Sequence, residues 1–323
     1  MPDIDTIKTE AKRLLQEGVV EVVVAFKAGD TPMHPQPAFF SSPDEIDQLV
    51  YSGLCQNNLA SFLTRLPKEK KIGMVVRGCE NRSVNALIVE KQKSRENLYL
   101  IGVPCEGIID WRKIVEMVGE AVLAVEENAH LVTVETQNGR FALERSILLH
   151  DSCSRCAHPN PMSADILIGE ALPEGEALPE GDPSLARTAL EEFEALSSEE
   201  RYAWFQKEAE RCIRCYACRE ACPMCFCEEC FVDHIEPRWT ESGATPAGMQ
   251  GWHIVRAFHQ TGRCTSCGAC ERACPMDIKM TYLTEKLNHD MRKKYNFEVG
   301  LDVQTQPPFA TVTLDDKNRF VVS

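Results

Sequence analysis

Several things are missing from this chain of 323 residues, and each absence excludes a class of protein. No apolar run approaches the roughly 18 residues needed for a bilayer-spanning helix. The N-terminus, Met1-Pro2-Asp3-Ile4-Asp5, has neither a basic region nor an apolar core, so no secretion signal is expected. Positive charge is in short supply: 35 Lys and Arg against 49 Asp and Glu leave a net charge of -14. That balance disfavours non-specific nucleic-acid binding. There is no Walker loop, no Ser-His-Asp set and no metalloprotease helix. No Gly-x-Gly-x-x-Gly follows the first predicted strand, which argues against a Rossmann dinucleotide site. The eight histidines are scattered. What remains is an ordinary globular composition, with 44% hydrophobic residues and a mean hydropathy of -0.25, long enough for about two domains.

Cysteine is the residue in excess. Sixteen cysteines without a secretion signal point to thiolate chemistry in a reducing compartment, the cytoplasm. Eight fall in two matching runs. The first is Cys212-Ile213-Arg214-Cys215-Tyr216-Ala217-Cys218, continuing to Cys222-Pro223; the second is Cys264-Thr265-Ser266-Cys267-Gly268-Ala269-Cys270, continuing to Cys274-Pro275. This is the bacterial ferredoxin spacing for two iron–sulfur clusters, in which the fourth cysteine of each run ligates the other cluster. The expected sets are therefore Cys212, Cys215, Cys218 and Cys274, and Cys264, Cys267, Cys270 and Cys222. Zinc is the alternative, but its sites use two separated pairs and need no trailing proline.

The other eight cysteines are less regular. Cys79 and Cys105 each fall just after a predicted strand and at the start of a helix. In an open α/β sheet that position is the ligand-binding rim beyond the strands' carboxyl ends. Cys153-x-x-Cys156 adds a pair. Cys79, Cys105, Cys153 and Cys156 are the expected ligands of a third cluster; the bland alternative is that such thiols are small buried hydrophobes. Cys225, Cys227 and Cys230, with Cys55 as a fourth thiol, form a candidate fourth set, or else shield the first cluster. His158, beside Cys156, is expected to support a ligand or face solvent rather than to ligate.

Periodicity places a helix over 6–17, a strand over 19–26, a loop at Pro32, Pro35 and Pro37, and helix from Ser42 to Leu66 carrying Cys55. Strands follow over 71–77 and 98–103, helices to about Lys93 and from Asp110 to about Glu126, and a hairpin turns at Asn138-Gly139. Strands alternating with helices predict an open α/β domain over 1–169. A repeated EALPEG over 170–181 reads as a spacer, giving a linker over 170–183. An acidic helix over 184–196 and a capped helix from Ser197 lead into a ferredoxin-like two-cluster domain, 184–290 in all, with a tail over 291–323 containing short β-like runs.

The residues Lys71-Lys-Ile-Gly-Met-Val-Val-Arg-Gly-Cys79-Glu-Asn-Arg82 and Glu96-Asn-Leu-Tyr-Leu-Ile-Gly-Val-Pro-Cys105-Glu-Gly107 resemble the coenzyme F-420 hydrogenase/dehydrogenase beta-subunit family. So do Cys153-x-x-Cys156, Pro161 and Ala164-Asp165-Ile166-Leu167-Ile168-Gly169. The Cys212–Cys230 stretch and Gly262-Arg263-Cys264 resemble iron–sulfur subunits encoded with formate dehydrogenases and heterodisulfide reductases. The resemblance implies electron transfer between iron–sulfur clusters and a flavin, often FAD, inside a multisubunit anaerobic redox complex of formate dehydrogenase, hydrogenase or heterodisulfide-reductase type. Three functions compete on the sequence: an electron-transfer subunit, a flavin-dependent reductase acting on its own substrate or on the deazaflavin coenzyme, and a metal-stabilised scaffold.

Overall fold

The computed structural model describes residues 3–174, 190–241 and 243–310. Its first half is an α/β sheet in the order β2-β1-β4-β5-β9. The inner strands β1 (Val22–Lys27), β4 (Ile72–Val76) and β5 (Leu98–Gly102) run parallel, and β9 (Ile166–Leu167) joins β5 in parallel. These strands are almost continuously apolar because both faces are covered. On one face α1 (Ile4–Gln16) packs Ile7, Ala11 and Leu14 against Val23, Ala25 and Ile101. On the other, α2 (Gly78–Val89) places Val84 and Leu87 beside Val24, Met74 and Leu100.

Three local readings change. Gln36–Phe40 is the edge strand β2, antiparallel to β1, where prolines implied a loop. An edge strand tolerates Pro37 because one side of its backbone needs no partner. The stretch expected as helix from Ser42 to Leu66 forms short 3-10 turns over Pro43–Gln48 and Leu59–Arg65. Between them the two-residue strand β3 (Leu49–Val50) pairs with β1. The helix from Asp110 is α3 (Trp111–Val118) and stops where Gly119 takes φ +70°. The following Ala124–Glu127 becomes β6. It pairs with the expected hairpin, β7 (Leu131–Thr136) and β8 (Gly139–Glu144), as a small three-stranded sheet. Two single-turn helices, α4 (Arg145–Leu148) and α5 (Asp151–Ser154), then deliver Cys153.

The first EALPEG unit begins as a held segment: the Asn160 side chain donates to the Leu172 carbonyl at 2.6 Å and accepts from its N–H at 2.9 Å. The second unit and the start of the acidic helix lie outside the described residues. Residues 190–195 are helical (α6). Then come α7 (Ser198–Glu210), opened by the expected Ser197–Glu200 capping box, α8 (Ala217–Glu220), α9 (Pro246–His259), α10 (Ala269–Arg272) and α11 (Thr281–Tyr295). After α11 the chain buries Phe297 and Val299 on Met291 where β-like runs were expected; the β-like runs beyond Ala310 lie outside the described residues.

The two halves are bolted together through α2. Ten of its twelve residues are buried, among them Glu80, Asn81, Arg82, Ser83 and Asn85. A polar helix is buried on both sides here because the sheet covers one face and the C-terminal half the other. Arg82 donates to the Val299 carbonyl at 3.0 Å, Asn85 to the Gly300 carbonyl at 2.9 Å, and Arg263 pairs with Glu90 at 2.6 Å. Among the described residues no helix is long and apolar enough to cross a membrane.

Candidate metal centre

The two cysteine runs fold into the same backbone twice. Arg214 and Ser266, each two residues past the first cysteine, take φ +52° and +56°. Tyr216 and Gly268, two further on, take +60° and +69°. Left-handed backbone at non-glycine residues is costly and marks an imposed loop shape. Its effect is to turn N–H groups inward: Arg214 N–H donates to Cys212 Sγ and Ser266 N–H to Cys264 Sγ, both at 3.4 Å. A single helical turn follows each loop. Cys222 N–H then donates to the Arg219 carbonyl and Cys274 N–H to the Glu271 carbonyl, at 3.2 and 2.9 Å.

Thiols from the two runs influence one another. Burial raises the Cys212 thiol, and the neighbouring Cys274 and Cys215 sulfurs raise it further. Burial likewise raises Cys218, with Cys212, Cys274 and Cys215 adding to it. Cys264 is pushed up to about 12 by burial, then by Cys267 and Cys222, and Cys270 is raised by burial with Cys222 and Cys264 among its neighbours. Cys274 thus neighbours Cys212 and Cys218, and Cys222 neighbours Cys264 and Cys270. All sixteen cysteines are free thiols. Buried thiols crowded in this way resist ionisation until a cation compensates them, as a metal–thiolate site requires. Among the described residues, no three His, Cys, Asp or Glu side chains converge at single-ion spacing.

Between the two sets lies Arg256 of α9. It is 5% exposed, donates through Nη2 to the Cys218 carbonyl at 3.2 Å, and has no partner for Nε among the described residues. Cys270, Cys222, Cys225 and Cys218 all favour its charge. Gln260, one turn on, donates to Cys225 Sγ at 3.4 Å and accepts from Cys222 Sγ at 3.6 Å. Trp252 fills the centre, stacked on Phe231 at 5.6 Å and edge-on to Tyr216 at 5.1 Å.

The third group forms at the sheet's rim. Val76 of β4 pairs with Gly102 of β5, and Cys79 and Cys105 each follow three residues later. Cys79 opens α2 as expected, but Cys105 does not open a helix: the chain runs on without helical turns and α3 begins only at Trp111. The chain after Cys156 crosses directly over α2: Cys105 N–H donates to the Pro159 carbonyl at 3.1 Å, and a Cβ on Gly78 would collide with the His158 carbonyl oxygen. Burial raises Cys105, with Cys153 adding to it, and pushes Cys156 up to about 12, with Cys153 and Cys105 adding. Cys79 is raised by burial; Glu80 and the sulfurs of Cys267 and Cys105 add to this while Arg77 opposes it. Cys79 thus has thiol neighbours in the rim group and in the second ferredoxin loop. His158 bonds Glu298 at 3.0 Å and serves the join between the halves.

The remaining four thiols go separate ways. Cys225 shares a hydrogen bond with Cys222, which lowers it, and Arg256 also favours its thiolate. Cys227 is exposed and, with Cys225, adds to the stabilisation of Arg263's charge. Cys230 bonds Arg219 and packs with Phe231 and Val232 against the first loop. Cys55 lies in the apolar core, pushed up to about 11 by burial, with Arg77, Ser52 and Glu80 as neighbours. It shares none of those neighbours with the other three.

The rim crevice is tight. Tyr51, Ser52, Gly53, Arg77, Cys105 and Arg145 enclose a cavity of about 20 Å³, against several hundred for a cofactor pocket. Arg77 closes it by donating to the Cys55 and Asn57 carbonyls, both at 2.7 Å, and Arg145 by donating to the Gly107 carbonyl at 2.7 Å. As folded, this crevice does not fit a flavin ring.

Two loops of this shape are what a dicluster iron–sulfur domain requires, and residues 208–278 match the 4Fe-4S dicluster domain family. Over most of its length the chain is similar to formate dehydrogenase beta subunits. It is 26% identical to the F420-dependent formate dehydrogenase subunit beta of Methanocaldococcus jannaschii, over 92% of each chain. It is 24% identical to the F420-dependent formate dehydrogenase 1 subunit beta of Methanococcus maripaludis, over 92% of this chain and 90% of that one. Among solved structures, a chain of the F420-reducing [NiFe] hydrogenase complex from Methanosarcina barkeri is similar, with 15% identity and a TM-score of 0.41 over 59% of this chain and 76% of that one.

Arg256 and Gln260 were not singled out by the sequence. Arg256 and Gln260 lie four residues apart on a helix with no motif of its own, so only the fold brings them to the thiols.

Proposed function

We propose that this chain is the iron–sulfur electron-transfer subunit of a cytoplasmic oxidoreductase complex of formate dehydrogenase, hydrogenase or heterodisulfide-reductase type. Its ligand sets would be Cys212, Cys215, Cys218 and Cys274; Cys264, Cys267, Cys270 and Cys222; and Cys79, Cys105, Cys153 and Cys156. When bound, clusters at these sets supply one-electron storage. The chain's own contribution is to hold the three sets in series, exclude water from the second, and balance their negative charge with Arg256.

The single observation that carries this reading is the join beside Cys79: Ser83, one turn along the same helix, meets Thr265 of the second ferredoxin loop at 3.0 Å, and the Cys79 thiol feels the sulfurs of both Cys105 and Cys267. That contact supports a route from the α/β rim to the second dicluster loop. The dicluster match and the beta-subunit relatives support it. The closed crevice weighs against a flavin at the rim itself, and the route is read as leading on to a flavin elsewhere or to a partner subunit. Cys225 and Cys230 we read as a shield over the ferredoxin loops, and Cys55 as part of the core.

The test is anaerobic reconstitution of the full chain followed by reductive titration. Electrons should be taken up reversibly, with negligible turnover of nicotinamide, deazaflavin or small organic substrates. Turnover at roughly 1–1000 per second by the chain alone, the range of ordinary enzymes, would favour the reductase instead.

A further inference from the structure

The two ferredoxin loops share a backbone but not a covering. Thr265, the residue after the first cysteine of the second loop, is 4% exposed and hydrogen-bonded to Ser83 of α2. Its counterpart in the first loop, Ile213, is 56% exposed. Ser152 of the α/β half sits on Gly268, and Arg112 donates to the Cys274 carbonyl at 3.0 Å, whereas Cys215 of the first loop is exposed. The polar residue is covered and the apolar one is bare, the reverse of what burial alone would select.

The segment after Cys230 enlarges this bare face. Arg219 pins one end through Asp233 at 2.8 Å, and Arg214 pins the other through the Gly243 carbonyl at 2.6 Å. Both arginines belong to the first loop or its helical turn. Between the pins Ile235 is 72% and Trp239 65% exposed, and Trp239 borders an open cleft of about 530 Å³. Large apolar side chains left exposed on a segment clamped to the first loop mark an interaction site. Around them Glu228, Glu229, Glu236 and Glu241 are exposed, with Arg238 as the opposing charge on the segment.

We propose that Ile213, Ile235 and Trp239, with their acidic surround, form the docking face for a separate electron-carrier protein whose redox centre is ringed by basic residues. The partner covers the first loop as the α/β half covers the second. This inference rests on the electron-transfer reading above. The exchange is a single electron leaving the reduced chain for the carrier, with no bond made or broken. Complementary charge steers such encounters and makes them salt-sensitive.

The experiment uses the full cluster-loaded chain, chemically reduced, mixed rapidly with one of two acceptors. One is a small dye, dichlorophenolindophenol; the other is ferric cytochrome c, a basic protein that accepts one electron to become ferrous. Two variants are compared with wild type: Ile235→Ser with Trp239→Ala, and Glu228→Lys with Glu236→Lys. All four positions are exposed, so folding should persist. Both variants should reduce the dye at the wild-type rate and cytochrome c at least tenfold more slowly, and added salt should slow wild type toward the variants. Unchanged cytochrome c rates in both variants overturn the docking face while leaving electron transfer intact. A reduced chain that passes nothing even to the dye is a different result: it contradicts the electron-transfer reading, and the docking face falls with it.

Discussion

Ser83 and Thr265 meet hydroxyl to hydroxyl at 3.0 Å, although 182 residues separate them in sequence. One stands on the helix that begins with the Gly78-Cys79 turn, the other inside the second ferredoxin loop. Both are buried, so neither can exchange its partner for water. The contact makes the third thiol group and the dicluster fold as neighbours. Four predictions about this arrangement, and one about the whole, can be checked.

Gly78→Val should disrupt the rim group. A side chain there meets the His158 and Asn160 carbonyls, which are backbone and cannot swing away. The expected cost is about 2–4 kcal/mol, in the range of severe overpacking. Denaturant titration should show it, and electron paramagnetic resonance should show loss of one cluster signal with two retained.

Arg256→Met should lower the reduction potential of the dicluster pair. It removes a buried positive charge lying among Cys218, Cys222 and Cys270, and net charge near a cluster is one of the factors that set its potential. Arg256→Lys, which keeps the charge, should shift it less. Equal potentials in wild type and Arg256→Met would show that the guanidinium is structural alone.

Cys55→Ala should leave iron and sulfide content unchanged. The thiol sits in the core beside Leu59 and Val76, so the variant loses about 1 kcal/mol of packing and no ligand. A loss of four irons per chain would instead make Cys55 a ligand.

His253 should make stability pH-dependent. Burial, then the charge of Arg256, lowers its pKa to about 4 from an ordinary 6.5. Below pH 6.5 the unfolded chain takes up a proton that the folded chain refuses until about pH 4. Stability contributed by the neutral ring is therefore full above pH 6.5 and declines as pH falls, by up to about 1.4 kcal/mol per unit. Denaturation midpoints at pH 7.5 and 5.5 should differ more in wild type than in His253→Leu.

The dicluster was the most legible part of this chain because its ligands are local: seven residues carry three thiolates, and the loop shape follows. The rim group was legible in part. Cys79 and Cys105 could be placed from strand order, since a parallel pair equalises residues at the same offset. The turns over 43–65 were not legible. Pro43 and the acids after it do open a helical turn, but the pairing of Leu49 and Val50 with β1 ends it, and pairing partners are not a local property. The buried polar face of α2 was hidden for the same reason: Glu80 and Asn81 are covered by Leu59, Met162 and Ser163, and Arg82, Ser83 and Asn85 by the C-terminal half, all distant in sequence. Ile235 and Trp239 give no periodic signal, and their meaning comes from Arg219 and Arg214 clamping the loop.

The most direct test of the central claim is the metal content of the full chain, prepared anaerobically, with wild type compared to Cys105→Ser. Three thiol sets in series predict roughly twelve iron and twelve sulfide per wild-type chain, and roughly eight of each in the variant. Eight of each in both would remove the third set and the continuous route it provides; zinc without sulfide would contradict the account altogether.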